Sequence, residues 1–352
     1  MSTGTDPLLA TCPVPSAEAD RVLLGHGSGG QLSARLLNEV IVPGLGGIPG
    51  PLEDAALIGP DLVMSTDSFV VDPLFFPGGD IGMLAVHGTV NDLAMRGATP
   101  VALAVALVLE EGLPLEVLRR VVASIGRAAR DADVPVVTGD TKVVGRGAAD
   151  RIFITTTGIG RPLAGTCPSA ASIRPGDALL LSGPIGAHGV TVLSARAGLG
   201  FEADASDLAS DTRPLHRLVR AILDAGGHSV HALRDPTRGG VASALNELAA
   251  ASRVGVTLDE AVLPVRPAVA AACEMLGLDV LHVANEGCCV AFTDAANADD
   301  VLAAMRALPE GHDAVRVGEA TADHPGRVTM CTLLGAHRIV DMLVGEQLPR
   351  IC

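Results

Sequence analysis

The chain has 352 residues, of which 48% are apolar, but it contains no Trp or Tyr and only 6 Phe, so its core must be built from aliphatic side chains. This length exceeds what one hydrophobic core normally serves, and it predicts two globular domains. The 25 basic residues are outnumbered by 40 acidic ones, and the resulting net charge of −15 argues against a protein that binds nucleic acid or anionic membranes.

Two segments bear on the location of the protein. The most apolar run, residues 101–109, is about half as long as a bilayer crossing requires, and Glu110 and Glu111 close it. Residues 1–20 lack the basic start and the apolar block of a signal peptide. We therefore expect a cytoplasmic protein with no membrane segment and with a disordered N-terminal arm, 1–20.

In the first half of the chain, strand and helix patterns alternate. The glycine-rich stretch 25–30, "GHGSGG", precedes the predicted helix "QLSARLLNEVIV". Its backbone N–H groups could wrap phosphate, but it lacks the Gly-Lys-Ser/Thr ending of a P-loop. A flexible linker is the alternative interpretation of this stretch. A strand is predicted over 62–66, and a helix between the cap Asp80 and the stop Gly97. Four more segments follow. A buried strand is predicted for "VALAVALVLE" and an amphipathic helix for "LPLEVLRRVVASIGRAARDA". A strand ending at Asp140 is predicted for "VPVVTGD" and a further strand for "RIFITTTGIG".

A Pro- and Gly-rich passage near residue 170 predicts a domain boundary, after which a new strand is expected over 178–181. The second half again alternates strands with helices, so the fold class expected is α+β, with helices layered over sheets. The predicted helices lie near 185–196, 214–225 and 240–251, and the predicted strands are "VGVTL", "CCVAFT", "AVRVGEA" and "VTMCTL".

One lysine, Lys142, stands among 24 arginines. Lysine is compact and can lose its proton when it is buried, which arginine does not do. A phosphate-facing or proton-handling role is one interpretation of Lys142, and a local ion pair with Asp140 is the other.

Single aspartates recur in small-residue settings, and each alone could be a cap or a turn residue. Together they suggest a site, because Mg²⁺ prefers carboxylate oxygens and the phosphates of a nucleotide. The glycine pair of "DPTRGG" opens a predicted helix whose N-terminus favours anions. The aspartates are Asp54, Asp67, Asp92, Asp140 and Asp235.

The cysteine pattern argues against structural disulfides and structural zinc, because the seven cysteines include no CxxC pair and no histidines at zinc spacing. Most are expected to be small buried side chains. The exception is Cys352, which ends the chain in "GEQLPRIC".

Several motifs together resemble one family: "GHGSGG", "EDAA", "STDSFVVDPLFFPGGDIG", "HGTVNDLAMRGATP", "GDTKVV", "DPTRGG", "ANEG" and the terminal "PRIC". The sequence is similar, over about residues 20–352, to the HypE family of hydrogenase maturation factors, the carbamoyl dehydratases of the PurM-like ATP-binding superfamily. The terminal "PRIC" with "GDTKVV" is the most specific part of the resemblance.

The resemblance implies a PurM-like two-domain fold. Residues 21–165 would form an ATP-binding and dimerisation domain that makes a β-barrel with its copy in a homodimer, 170–340 a C-terminal α/β domain, and 341–352 a mobile tail. It also implies a reaction, in which a HypF carbamoyltransferase loads a carbamoyl group onto the terminal cysteine and ATP drives its dehydration to a thiocyanate. The cyanide would then pass to the iron of a nickel–iron hydrogenase through the HypC–HypD complex.

The family pattern also implies roles for individual residues. Cys352 would be the carrier, with Lys142 and Glu286 near it as catalytic groups, and ATP and Mg²⁺ would be the cofactors. Magnesium would be held by Asp54, Asp67, Asp92 and Asp235, and ATP by these four together with Asn91, Asp140, Gly27, Gly29 and Gly30.

The proposed chemistry needs a positioned base, because a proton must leave nitrogen as phosphate departs. Glu286 in "ANEGC" is the candidate, since burial would raise its pKa toward a useful range. Two alternatives stay open: another PurM-like enzyme, such as a selenophosphate synthetase or a thiamine-phosphate kinase, and a non-catalytic metallochaperone that uses Cys352 and Cys288. Neither class accounts for both the aspartates and a terminal cysteine.

Overall fold

The computed structural model describes residues 21–48, 50–198, 208–345 and 350–352. The predicted N-terminal arm, 1–20, lies outside the described residues, as do four residues of the predicted tail. After the glycine-rich loop, one helical segment runs from α1 (Gln31–Arg35) through a π-helical stretch (Leu36–Ile41) to α2 (Val42–Gly44), where the helix "QLSARLLNEVIV" was predicted.

The N-terminal half contains a five-stranded sheet in the order β1-β2-β7-β5-β6, and β3 pairs with β4 in a separate small hairpin. Strands β5 and β6 are parallel, so their connection must cross over, and α4 makes that crossing. The strands are β1 Ala56–Ile58, β2 Leu62–Phe69, β3 Phe75–Phe76, β4 Gly79–Asp80, β5 Ala98–Glu110, β6 Val136–Val144 and β7 Ile152–Pro162, and the helices are α3 Ile81–Met95 and α4 Leu115–Asp131.

The predicted helix between Asp80 and Gly97 is confirmed. The Asp80 carboxylate accepts hydrogen bonds from the backbone N–H groups of Gly82 (2.8 Å) and Met83 (3.0 Å) and so caps α3. Two strand predictions need correction. The strand predicted as buried, β5, is only part-buried beyond Leu103, and β6 does not end at Asp140 but continues to Val144.

The C-terminal half contains a seven-stranded sheet in the order β14-β13-β10-β12-β8-β11-β9. The strand predicted over 178–181 is confirmed exactly as β8. The strands are β8 Ala178–Leu181, β9 Val230–Arg234, β10 Gly255–Asp259, β11 Val290–Thr293, β12 Val315–Thr321, β13 Val328–Cys331 and β14 His337–Val340. The helices are α5 Ala187–Ala197, α6 His216–Gly226, α7 Gly240–Ser252, α8 Pro267–Leu276 and α9 Ala298–Arg306.

One hydrophobic core joins the two halves and includes the end of the chain. Side chains of α3 and α4 pack with Val190 of α5, Val269 of α8 and Ile351, which is 5% exposed. The end of the tail is therefore held between the two halves. Strand β2 and helix α3 approach this junction from one half, and the loop after β9 approaches it from the other.

The outer edge strand of the N-terminal sheet, β6, is exposed in the single chain and carries uncovered valines. Strand β6 leaves Val136 41%, Val137 64% and Val143 69% exposed. Among the described residues, no helix has the length and apolar character that a membrane crossing needs.

Candidate active site

Four of the predicted aspartates line one polar cavity of about 270 Å³ at the junction of the two halves. Asp54 lies in the loop before β1, Asp67 on β2, Asp92 on α3 and Asp235 directly after β9. The structure therefore brings together acids from four separate segments of the sequence.

The carboxyl groups of this cavity are crowded and largely removed from water. Burial raises the pKa of Asp54 and Asp92 well above the usual range, and neighbouring carboxylates, including Asp235, raise both further. Burial also raises the pKa of Asp67, and it raises that of Asp235 to about 6. Negative charge is thus costly here unless a cation compensates it. The donor set of several carboxylate oxygens fits Mg²⁺.

Two arginines to which the sequence motifs assign no role supply part of the compensating charge. The Arg234 Nε atom lies 3.1 Å from the Asp54 carboxylate, and its Nη1 atom lies 2.9 Å from Glu247 on α7. Arg238 donates a hydrogen bond from Nη1 to the backbone oxygen of Gly27 (3.0 Å). Both arginines belong to "LRDPTRGG", so their proximity to Asp235 in sequence was the available signal.

The glycine-rich loop closes over this region. Gly29 has φ +75°, and a Cβ atom there would lie 2.6 Å from the backbone oxygen of Arg238, so no larger residue fits. A Cβ atom at Gly30 would likewise clash with the backbone oxygen of Leu343. The N–H group of Gln31 donates a hydrogen bond to that oxygen at 2.8 Å. Gly27 and Gly30 line a second, smaller cavity, whereas Gly29 lines the acidic one.

The second cavity, of about 80 Å³, contains the end of the chain, with Arg350, Ile351 and Cys352 on its wall. The N–H group of Val70, just after β2, donates to a terminal oxygen of Cys352 at 3.2 Å. Among the described lining residues of the two cavities, Arg238 is the one that borders both. The guanidinium side chain of Arg238 therefore lies between the thiol site and the acidic site.

The Cys352 thiol lies beside the carboxyl group of Glu286. Burial raises the pKa of the thiol well above its usual value, and Glu286 raises it further through its charge and a hydrogen bond, whereas Arg238 opposes these effects. Burial is also the main reason why the pKa of Glu286 is raised, with Asp235 adding to the shift. Glu286 is 3% exposed, and among the described residues its Oε1 atom has no hydrogen-bond partner. An unpaired buried carboxyl oxygen is costly to maintain, which is typical of a functional group.

The loop that carries Glu286 is fixed from both sides. The Asp211 carboxylate accepts hydrogen bonds from the backbone N–H groups of Glu286 (3.1 Å) and Gly287 (3.0 Å). The Asn285 side chain accepts from the N–H group of Gly186 (2.6 Å) and donates to the oxygen of Pro236 (2.9 Å). These contacts join the Glu286 loop directly to the "DPTRGG" loop.

Three of the residues assigned by the resemblance lie elsewhere in the single chain. The Asn91 amide is occupied structurally, because Nδ2 donates to the Arg213 oxygen (3.1 Å) and Oδ1 accepts from the Leu215 N–H group (2.7 Å). Lys142 and Asp140 form an exposed ion pair at 2.9 Å on β6. Strand β6 is three strand spacings from β2, roughly 14 Å, so one chain does not bring Lys142 to Cys352.

Comparison with known proteins identifies the family of this chain. The models of the AIR synthase related protein, N-terminal domain and C-terminal domain, match residues 52–161 and 174–331. The carbamoyl dehydratase HypE of Cupriavidus necator is 52% identical over 340 residues, which cover 95% of this chain and 96% of that protein. The chain belongs to the HypE family of carbamoyl dehydratases.

Solved HypE structures share the fold described above. The structure of a HypE–HypF complex matches with a TM-score of 0.83 and 44% identity, covering 88% of this chain and 99% of that one. A HypE structure in complex with ATP matches with a TM-score of 0.79 and 48% identity, covering 94% and 100%. The PurM-like two-domain fold expected from the resemblance is thereby confirmed, as is the family itself.

Proposed function

We propose that this chain, like its HypE relatives, is an ATP-dependent carbamoyl dehydratase that acts on its own terminal cysteine. It converts an S-carbamoyl group on Cys352 to a thiocyanate, which supplies the cyanide ligand for the iron of a nickel–iron hydrogenase. One observation carries the proposal: the terminal thiol lies beside a buried carboxyl group and is separated by a single arginine from a cavity lined by four aspartates.

The acidic cavity is the proposed site of ATP phosphates and Mg²⁺. Asp54, Asp67, Asp92 and Asp235 would hold the metal, which neutralises phosphate charge and orients the phosphates when it is bound. Gly29 borders this cavity, and Gly27 and Gly30 border the adjoining thiol cavity, so the glycine-rich loop would lie along the phosphates together with the N-terminus of α7, whose first residue is Gly240. A structure of a HypE in complex with ATP supports ATP as the nucleotide.

In the first chemical step the carbamoyl oxygen attacks the γ-phosphorus, the bond to the β-phosphate oxygen breaks, ADP leaves, and the carbamoyl nitrogen loses one of its two protons. This step converts a poor leaving group into a phosphate ester. Arg238 is placed to interact with the phosphoryl group as it moves between the cavities, because its side chain borders both. A guanidinium group can donate two parallel hydrogen bonds to phosphoryl oxygens and so stabilise the transferring charge.

In the second step the nitrogen of the phosphorylated group loses its proton, the carbon–oxygen bond breaks, and phosphate departs to leave a carbon–nitrogen triple bond. Glu286 is the proposed base, because it lies against the sulfur that carries this group. Burial raises the pKa of Glu286, and a carboxylate with a raised pKa is a stronger base. Burial also keeps bulk water from the reacting carbon.

Lys142 can take part in this reaction only if a second copy of the chain brings it to the site. We assign the exposed valines of β6 to a homodimer interface, which would bury them and complete the β-barrel expected from the family. In that dimer, Lys142 would reach the thiol site of the partner subunit and orient the carbamoyl oxygen, with Asp140 beside it. Lys142, Glu286 and Cys352 would then form the catalytic set.

The substrate and the product require partners. A HypF carbamoyltransferase would load Cys352, and the structure of a HypE–HypF complex supports this pairing. A HypC–HypD complex would accept the cyanide. The expected location of all these steps is the cytoplasm.

The proposal is tested by mass spectrometry of the terminal peptide. After incubation with HypF, carbamoyl phosphate and ATP, Cys352 should carry a carbamoyl group, and further ATP and Mg²⁺ should remove one water from it. ATP hydrolysis should accompany that loss and should be absent from the Cys352→Ala protein. Equal hydrolysis by both proteins, or an adduct on Cys288, contradicts the proposal.

A further inference from the structure

The last three residues are recognised mainly through their backbone. The Arg350 oxygen accepts hydrogen bonds from the Asp72 N–H group (3.1 Å) and from Arg196 Nη2 (2.6 Å). The Ile351 oxygen lies 2.6 Å from Nε2 of His188, and the Ile351 side chain enters the core between the two halves. The two residues before Cys352 are therefore held by hydrogen bonds to their backbone and by burial of the Ile351 side chain.

Arg350 adopts a backbone conformation that only fixed surroundings sustain. Its φ angle is +52°, in the left-handed region that non-glycine residues rarely occupy. This conformation directs its guanidinium group to two acids, Asp150 and Asp72, and the nearest Asp72 oxygen lies 3.4 Å from Nη2. The side chain and the backbone of Arg350 are therefore both held by the segment around Asp72.

His188, which contacts the Ile351 backbone oxygen, is fully buried. A carbonyl oxygen can only accept a hydrogen bond, so Nε2 must carry the hydrogen that it donates to Ile351. Nδ1 lies 2.8 Å from the Ser210 hydroxyl, which can donate to it, and the ring of Phe76 packs edge-on against the imidazole. This arrangement fixes both the ring orientation and the tautomer.

We propose that His188 and Asp72 are positioning residues, which recognise Ile351 and Arg350 and so determine the fraction of time that the Cys352 thiol spends in the catalytic site. This inference rests on the proposed function, since it concerns the access of the carrier to its two reactions. Neither residue contacts the thiol, and both act through the two residues that precede it.

The same contacts must affect the two reactions in opposite directions. A docked tail presents the thiol to Glu286 and withholds it from an external carbamoyl donor. Weakening the contacts therefore speeds loading and slows dehydration. A general loss of structure would slow both reactions, so the opposite signs distinguish positioning from folding.

The test measures alkylation of Cys352 by dilute iodoacetamide in the full-length chain, without ATP or HypF. Arg350→Gln removes the two exposed ion pairs with Asp72 and Asp150 and should speed alkylation about two- to fivefold. His188→Leu leaves the Ile351 carbonyl without a donor and should speed it about tenfold, whereas His188→Gln, which retains an N–H donor, should restore slower labelling. The matched control is Arg220→Gln, which removes another surface ion pair, that with Asp224 on α6.

Cys167 and Cys331 serve as internal references in the same samples, because the first is exposed and the second is part-exposed. Their alkylation should not change in any variant. Unchanged labelling of Cys352 in both Arg350→Gln and His188→Leu, or a parallel rise at all three cysteines, overturns the inference.

The second part of the test follows loading and single-turnover loss of water in Arg350→Gln. Loading should become faster and dehydration slower than in the unaltered chain, and a decrease in both rates contradicts the inference. If the unaltered chain shows no ATP-dependent loss of water, the proposed function fails, while the alkylation results still decide whether the tail is positioned as described.

Discussion

The thiol of Cys352 and the carboxyl group of Glu286 lie beside each other inside the protein, and burial is the main reason why the pKa of each group is raised. A protonated thiol is a poor nucleophile. The docked tail is therefore arranged for chemistry on a group already attached to sulfur, and not for attachment of that group.

The first prediction concerns Glu286 as the base. Glu286→Gln preserves shape but cannot accept the proton, so single-turnover loss of water from carbamoylated Cys352 should slow by about 10²- to 10⁴-fold. Loading by HypF should be unchanged, because that reaction occurs outside the site. Mass spectrometry of the terminal peptide measures both, with the surface variant Glu319→Gln as the control. Unimpaired dehydration in Glu286→Gln would assign the base elsewhere.

The second prediction concerns Arg238, which borders both cavities. Arg238→Lys keeps the charge but loses the planar pair of donors, so phosphoryl transfer should slow by about 10²-fold while ATP still binds. Rapid-quench measurement of ADP formation on carbamoylated protein tests this, with Arg220→Lys as the control. An equal loss of ATP affinity and rate would show that Arg238 only binds ground-state phosphates.

The third prediction concerns the metal. Asp92→Asn removes one charge from the acidic cavity, so the Mg²⁺ concentration that supports half-maximal nucleotide binding should rise at least about tenfold. Calorimetric titration of ATP at several Mg²⁺ concentrations measures the change. Asp224→Asn, at a surface ion pair, is the control, and the same Mg²⁺ requirement in both variants would remove Asp92 from the metal site.

The fourth prediction is a pH dependence of stability. Burial lowers the pKa of His87 to about 4, and its Nδ1 atom lies 3.1 Å from the Thr212 hydroxyl. The folded protein thus binds fewer protons than the unfolded chain between about pH 6.5 and 4. Its free energy of unfolding falls as the pH is lowered through that window, by about 3 kcal/mol from this group.

Thermal unfolding of His87→Gln across this range measures the effect. The variant should lose part of the acid sensitivity, although its stability at pH 7 will also change because the core contact is altered. His312→Gln, at an exposed histidine, should keep the full sensitivity. Parallel curves for His87→Gln and the unaltered chain would contradict the assignment.

Local features of the fold were predictable from the sequence. The Asp80 cap and the strand 178–181 depend on short-range rules, and both are confirmed. The burial of β5 was predicted wrongly, because an apolar run alone does not show which side chains of the folded protein pack against it.

The site was predictable only in part. The aspartates could be grouped by chemistry, and four of them do line one cavity. The positions of Arg234 and Arg238 at the site were indicated only by their proximity to Asp235 in the sequence, because periodicity carries no information about which loops of two domains face each other. Asn91 shows the same limit, since its partners, the backbone of Arg213 and Leu215, are distant in sequence.

The fifth prediction decides whether Lys142 acts across a dimer. Lys142→Ala and Cys352→Ala should each abolish dehydration alone. If Lys142 serves the partner subunit, a mixed dimer contains one site with both an intact lysine and an intact cysteine, and mixing the two proteins with exchange of subunits restores activity. If Lys142 serves its own chain, no mixed site is complete and mixing restores nothing.

Two controls complete that experiment. Mixing Glu286→Gln with Cys352→Ala should restore nothing, because both residues belong to the same chain's site and every thiol-bearing site then lacks its base. A charged residue in the β6 face, as in Val137→Asp, should prevent dimer formation in size-exclusion chromatography and abolish complementation. Dimers that survive Val137→Asp would exclude this face as the interface, because an unpaired charge buried there costs several kcal/mol.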